Sequence, residues 1–180
     1  MSRLAVWAVV FGVLKLGGSI FAALRPELFR KGVVAFPRSV WPARILTVID
    51  LVWAAFLLNA MAMGNFDRFK VALYGLCPLA IILVVIYLDE LLAPRALGGL
   101  YLLLAAPLLD VARCHPSSWS LLMTVVAYMM VIAGIAFILT PYLFRKMFSF
   151  WIRDDRICRS MAMIGIFAGA VMLGIGLFVY

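Results

Sequence analysis

The chain has 180 residues, 67% of them hydrophobic and 13% charged, with a mean hydropathy of +1.15. Soluble domains are about half apolar, so this composition excludes a water-soluble globule and predicts a polytopic membrane protein, one membrane-embedded domain over residues 1–180. The net charge of +8 does not imply nucleic acid, because the lysines and arginines flank apolar runs instead of forming a continuous stripe.

Six apolar runs follow in order: Leu4–Leu24, Ile45–Met63, Val71–Leu88, Ala96–Val111, Trp119–Leu139 and Ser160–Tyr180. Each is near the roughly 20 residues that a hydrocarbon core of about 30 Å requires. The fourth is the shortest and contains Pro107. None alternates with period two, and an open sheet in lipid would leave backbone groups unpaired. The expected fold class is therefore all-α, with six transmembrane helices.

Between the first two runs stands Pro26-Glu27-Leu28-Phe29-Arg30-Lys31, and 115 residues later, between the last two, Pro141-Tyr142-Leu143-Phe144-Arg145-Lys146. Aligned without a gap, residues 24–44 and 139–159 also share Leu24/Leu139, Arg38/Arg153 and Arg44/Arg159. The pattern reads as a duplicated unit of helix, basic loop and helix, repeat A over 4–63 and repeat B over 119–180, with a hairpin over 71–112 inserted between them.

Within each loop the apolar residues recur at helical spacing. Leu143, Phe144, Met147, Phe148 and Trp151 share one face and Arg145, Lys146, Ser149 and Arg153 fall largely on the other, while Leu28, Phe29, Val33 and Phe36 repeat the pattern more weakly. Pro26 and Pro141 suit a first helical turn, where a missing N–H costs nothing. Pro37 and Pro42 stop the first helix early, and Asp154 and Asp155 favour the start of the last long helix. The expectation is a pair of interfacial helices whose cations Arg30, Lys31, Arg38, Arg44, Arg145, Lys146, Arg153 and Arg159 contact anionic lipid or a partner, each contributing about 1 kcal/mol. A loop whose arginines only set topology is the competing reading.

The first, third and fifth connections carry eleven lysines and arginines and the other side carries four, Arg3, Arg68, Lys70 and Arg113. The positive-inside rule then places both basic loops in the cytoplasm and both termini outside. Four runs separate corresponding helices of the two repeats, so the copies are parallel.

The series Pro141, Arg145, Asp155, Arg159, Gly165, Gly169 and Gly174 over the last 45 or so residues resembles the small two-helix bacterial inner-membrane proteins of the YjeT type. The resemblance implies a bacterial inner membrane and a packing unit reused by duplication, and carries no activity onto particular residues. The first copy departs from it, with Ser39-Val40 where the second has Asp154-Asp155.

Two charges fall inside the runs, Lys15 and Asp50. An intramembrane charge costs about 2.5–3.5 kcal/mol even on the gentler scales and needs a partner or water. Counted from the basic ends, their depths differ by roughly 6 Å, so a Lys15–Asp50 bridge between adjacent antiparallel helices is expected. Met130 and Gly165 stand at the equivalent places of the second copy, as expected of a mutually dependent pair. Such a pair is a structural bridge, a contact to a partner subunit, or a transport site. Asn59 extends the polar positions of the second run or bonds a neighbouring helix.

No nucleophile-and-base constellation, phosphate loop or HExxH occurs, and Asp89-Glu90 point to different faces of a helix. His115 is the single histidine, and Cys77, Cys114 and Cys158 are far apart, so neither a metal site nor a haem site made by this chain alone is expected. No catalytic residue, cofactor or metal is assigned. Gly165, Gly169 and Gly174 in the last run are candidate close-packing positions. The functional expectation is a non-enzymatic accessory or scaffolding subunit of a larger membrane complex. The alternatives are a small transporter or channel using Lys15 and Asp50, and a lipid-handling or membrane-shaping protein.

Overall fold

The computed structural model describes residues 2–60, 70–87, 92–117, 119–151 and 154–180. Among these the chain is all-helical: α1 Arg3–Leu24, α2 Pro26–Ala35, α3 Val40–Ala60, α4 Lys70–Tyr87, α5 Leu92–Arg113, α6 Ser120–Leu139, α7 Tyr142–Trp151 and α8 Asp155–Phe178, with a 3-10 turn over Phe36–Arg38. The order long helix, ten-residue helix, long helix occurs twice, as α1-α2-α3 and α6-α7-α8. Pro26 opens α2, and the turn holding Pro37 ends it, because a proline lacks the N–H that would continue the ladder.

Five helices are long and apolar enough to cross a membrane: α1, α3, α5 over Ala93–Arg113, α6 and α8. Among the described residues the sixth expected span, Val71–Leu88, is not one of them. In α4 the described apolar stretch is Gly75–Val84, shorter than a span, and part of the expected run Val71–Leu88 lies outside the described residues. The run expected to be shortest is a full 22-residue helix, α5, with Pro107 inside it.

Direction follows from which residues meet. Added methyl groups at Gly12, Gly169 and Gly176 would stand 2.9 Å from the Leu173 nitrogen, 2.8 Å from Leu16 Cγ and 3.0 Å from Ala8 Cβ, so α1 and α8 are antiparallel and nearly in backbone contact. Gly98 of α5 and Gly134 of α6 face one another's carbonyl oxygens in the same way, at 2.7 and 2.8 Å. Glycine is needed at these positions because backbone lies where a Cβ would project. By contrast α3 and α5 run parallel, with Ala43 beside Ala93 and Asp50 beside Gly99. Between them α4 returns antiparallel along α3. Asn59 and Lys70 line one groove, the Cys77 thiol donates to the Leu51 carbonyl at 3.7 Å, and Val84 packs on Ala43 and Ala93.

The segment expected as a central hairpin is thus divided between neighbours, α4 lying on α3 and α5 lying between α3 and α6. Under the 115-residue offset α1 corresponds to α6 and α3 to α8. Where α1 meets α8 directly, α5 stands between α6 and α3.

Both chain ends come to one end of the bundle. There Leu4 and Ala8 of α1, Leu108 and Ala112 of α5, and Met123 and Ala127 of α6 form a fully buried core against which Met172 and Tyr180 pack. The Tyr180 hydroxyl donates to the Trp119 carbonyl, and its ring stands edge-on to His115. Burial pushes the Tyr180 phenol above its usual value, which keeps it a donor. At the other, basic end Phe144 of α7 is buried among Phe36, Phe137 and Phe148, with ring centroids 4.5–5.5 Å apart. This aromatic cluster and an Arg30–Asp155 ion pair at 2.8 Å bind α2 and the 3-10 turn to α6, α7 and α8.

Candidate functional site

Polar side chains inside an apolar bundle mark where chemistry or recognition is available, since each must be satisfied or neutralised. Lys15 lies nine residues from the end of α1 at Leu24 and twelve from Arg3, about 14 and 18 Å along the axis. Neither interface is within reach of a four-carbon stem. Lys15 follows Phe11 by four residues, Ala8 by seven and Leu4 by eleven, so it shares the helical face that is buried in the N-terminal half of α1. The Lys15 side chain is exposed, although the same face is covered again beyond it, where Ser19 meets Gly165 of α8 and Ala22 is buried; an added methyl at neighbouring Gly17 or Gly18 meets nothing within 4 Å.

The Lys15–Asp50 bridge is not formed. The ion pairs among the described residues join Arg30 to Asp155 and Arg113 to Asp110, and neither Lys15 nor Asp50 enters one. Two features of the sequence explain the error. The connection over 25–39 is long enough to carry α3 away from α1, and Gly12, Gly169 and Gly176 let α1 approach α8 more closely than α3 allows. Lys15 accordingly lies near Gly165 of α8, with its Cε 3.8 Å from where a Cβ would be, while Asp50 lies against Gly99 of α5.

Asp50 belongs to a different grouping. The Nε of Arg44, Oγ1 of Thr47 and Oδ1 of Asp50 are all buried without a hydrogen-bond partner. They are spaced three residues apart, which puts them in a row on one face of α3, one turn between neighbours. Thr47 is only 6% exposed. Thr47 and Asp50 share the face of Ala43, which packs on Ala93 of α5, and Asp50 Oδ2 would be 2.9 Å from a methyl on Gly99. Arg44, expected to contact anionic lipid or a partner, has its Nε buried and is the basic-end member of this row. Thr47 was missed altogether, although its place one turn from both Arg44 and Asp50 was legible in the sequence.

At the basic end Glu27, Arg30, Lys31, Val34, Ala35, Arg38 and Asp155 line a groove of about 620 Å³. Arg30 is half-buried and held by Asp155, whereas Lys31 and Arg38 are exposed. Arg145 and Lys146 project from α7 opposite buried Phe144, and Arg159 is exposed on α8. Arg153, Asp89 and Glu90 lie outside the described residues. Of the expected packing glycines, Gly165 and Gly169 meet α1, Gly165 against the Ser19 hydroxyl; Gly174 meets nothing within 4 Å, and Gly176 takes the contact with Ala8 and Val9. His115 accepts from the Ser117 backbone N–H through Nδ1 at 3.2 Å. Among the described residues no three His, Cys, Asp or Glu converge as a metal site would require. No protein family, curated protein or solved structure matches the chain.

Proposed function

We propose that this protein is a non-catalytic accessory subunit of a larger membrane complex, which it joins through α1. The observation that carries the reading is Lys15, an exposed mid-span cation that enters no ion pair among the described residues. Left in lipid it costs about 2.5–3.5 kcal/mol. A carboxylate at matching depth on a partner's transmembrane helix removes that cost, and Gly17 and Gly18 leave the room for close approach. The transport reading that paired Lys15 with Asp50 loses its basis, because the two lie on different seams.

The antiparallel course of α4 along α3 supports six crossings, and the collection of cations at the end opposite the termini supports a cytoplasmic basic end. With the resemblance of the last 45 or so residues to YjeT-type proteins and the internal repeat, this favours a bacterial inner membrane with both termini on the outer side. The basic groove, Lys31 and Arg38 on its wall, suits anionic lipid head groups at that surface.

Purification in mild detergent followed by mass spectrometry tests the assignment. The expected outcome is co-purification of an integral membrane protein bearing an intramembrane acidic residue, lost on K15L and K15E and retained on K15R. Recovery of the wild type only as a monomer sinks the reading.

A further inference from the structure

A second inference concerns the α3–α5 seam and does not depend on a partner. We propose that this seam is a proton-binding site within the membrane, at which Asp50 takes the proton and Thr47 relays it from the basic end.

The geometry limits what the site can hold. Asp50 presents a buried oxygen with no donor, and its other oxygen rests against the Gly99 backbone. An ionised carboxylate there is left without the pairing that a buried charge requires, whereas adding one proton removes the charge without a counter-ion. A metal ion needs several convergent oxygens, and the row offers only the Asp50 carboxylate and the Thr47 hydroxyl, with the Arg44 guanidinium on the same face to repel a cation. The proton needs only the carboxylate.

The path follows from the row itself. The Thr47 hydroxyl, 6% exposed and unpartnered, stands one turn from Asp50 toward the basic end, and Arg44 one turn further. A hydroxyl both donates and accepts, so a hydronium ion or water from the basic side gives a proton to the Thr47 oxygen while the hydroxyl's own proton passes, through an intervening water because the two groups are not hydrogen-bonded to one another, to the Asp50 carboxylate, which becomes a neutral acid. The charged and titratable groups around Asp50 are few. On α3 there is Arg44, about 9 Å along the axis. On α5 Arg95 lies exposed one turn toward the basic end from Gly99, and Tyr101 packs on Phe137 of α6. On α4 Cys77 faces the Leu51 carbonyl and Lys70 lies toward the opposite end. None forms an ion pair with Asp50.

The seam also departs from its counterpart. Under the 115-residue offset Thr47 and Asp50 correspond to Ala162 and Gly165 of α8. There Gly165 lets α1 approach until Ser19 is in contact. The duplicated scaffold closes without polar atoms at these two positions; on α3 they are present and α5 covers them.

The test uses the full-length protein in liposomes. Infrared spectra with isotope-labelled aspartate are expected to show, at neutral pH, a protonated carboxyl band that D50N removes. Dicyclohexylcarbodiimide, which attacks protonated carboxyls in apolar surroundings, is expected to label the wild type at Asp50, located by peptide mass spectrometry, so the assignment stands even if D50N misfolds. T47V is expected to slow exchange of the carboxyl proton with D2O roughly tenfold, the equivalent of one lost hydrogen bond. N59L, on the other side of Asp50, is expected to leave it unchanged. An Asp50 seen only as ionised carboxylate and inert to the carbodiimide overturns the proposal in favour of an Arg44–Asp50 ionic contact. Exchange slowed by N59L and not by T47V overturns the assigned path.

Discussion

Replacing Gly98 by alanine adds one methyl group at the closest approach of α5 and α6. That methyl would stand 2.7 Å from the Gly134 carbonyl oxygen, 0.7 Å short of the 3.4 Å at which ordinary contact begins, with Ile138 Cγ1 at 3.0 Å and Phe137 Cβ at 3.2 Å behind it. A carbonyl held in its own helix cannot turn aside as a flexible side-chain tip can, so the two helices must separate. Overpacking of this kind costs about 1–3 kcal/mol. Alanine also gains about 1 kcal/mol of helix propensity over glycine, which leaves G98A between neutral and about 2 kcal/mol less stable. The same substitution at Gly17 meets nothing within 4 Å, so G17A keeps the propensity gain alone. The comparison cancels the propensity term and isolates the contact, predicting that G98A lies about 1–3 kcal/mol below G17A. Reversible unfolding in mixed micelles, titrated with denaturing detergent and followed by circular dichroism, measures both. Equal stability of the two variants, or a more stable G98A, refutes the close approach of α5 and α6.

Further predictions bear on the basic end and on topology. F144A empties the centre of the aromatic cluster and is expected to cost about 3–5 kcal/mol in the same assay, with no loss of helix content in α1 or α8. The Arg30–Asp155 pair, 38% and 53% exposed, is expected to couple by under about 1 kcal/mol in a double-mutant cycle of R30Q and D155N, and less at high salt. Cys114 is exposed and Cys158 only 4% exposed. A membrane-impermeant maleimide applied to intact cells is therefore expected to modify Cys114 and to reach Cys158 only after denaturation and lysis. Labelling of Cys114 only in inverted vesicles reverses the proposed orientation.

Much of the architecture was legible because the bilayer simplifies the reading. Long apolar runs have one way to satisfy their backbone, so helices α1, α3, α5, α6 and α8 follow from composition and length. The ten-residue helices follow from proline at their starts and from the amphipathic order of Phe144, Phe148, Arg145 and Lys146. Gly165 and Gly169 were identifiable as packing positions because a missing Cβ at four-residue spacing has few other uses.

Pairing of helices was a different matter. Nothing along the chain states that α1 seeks α8, that α5 separates α3 from α6, or that Lys15 and Asp50 part company, because in lipid every apolar helix face resembles every other. The choice rests on where backbones approach most closely, at Gly12 with Leu173, Gly98 with Gly134 and Gly176 with Ala8. Such fits depend on two surfaces at once. The residues that cross the membrane could thus be read from the chain one run at a time, whereas the partner of each seam, and with it the surroundings of Lys15 and Asp50, came from packing between runs far apart in sequence.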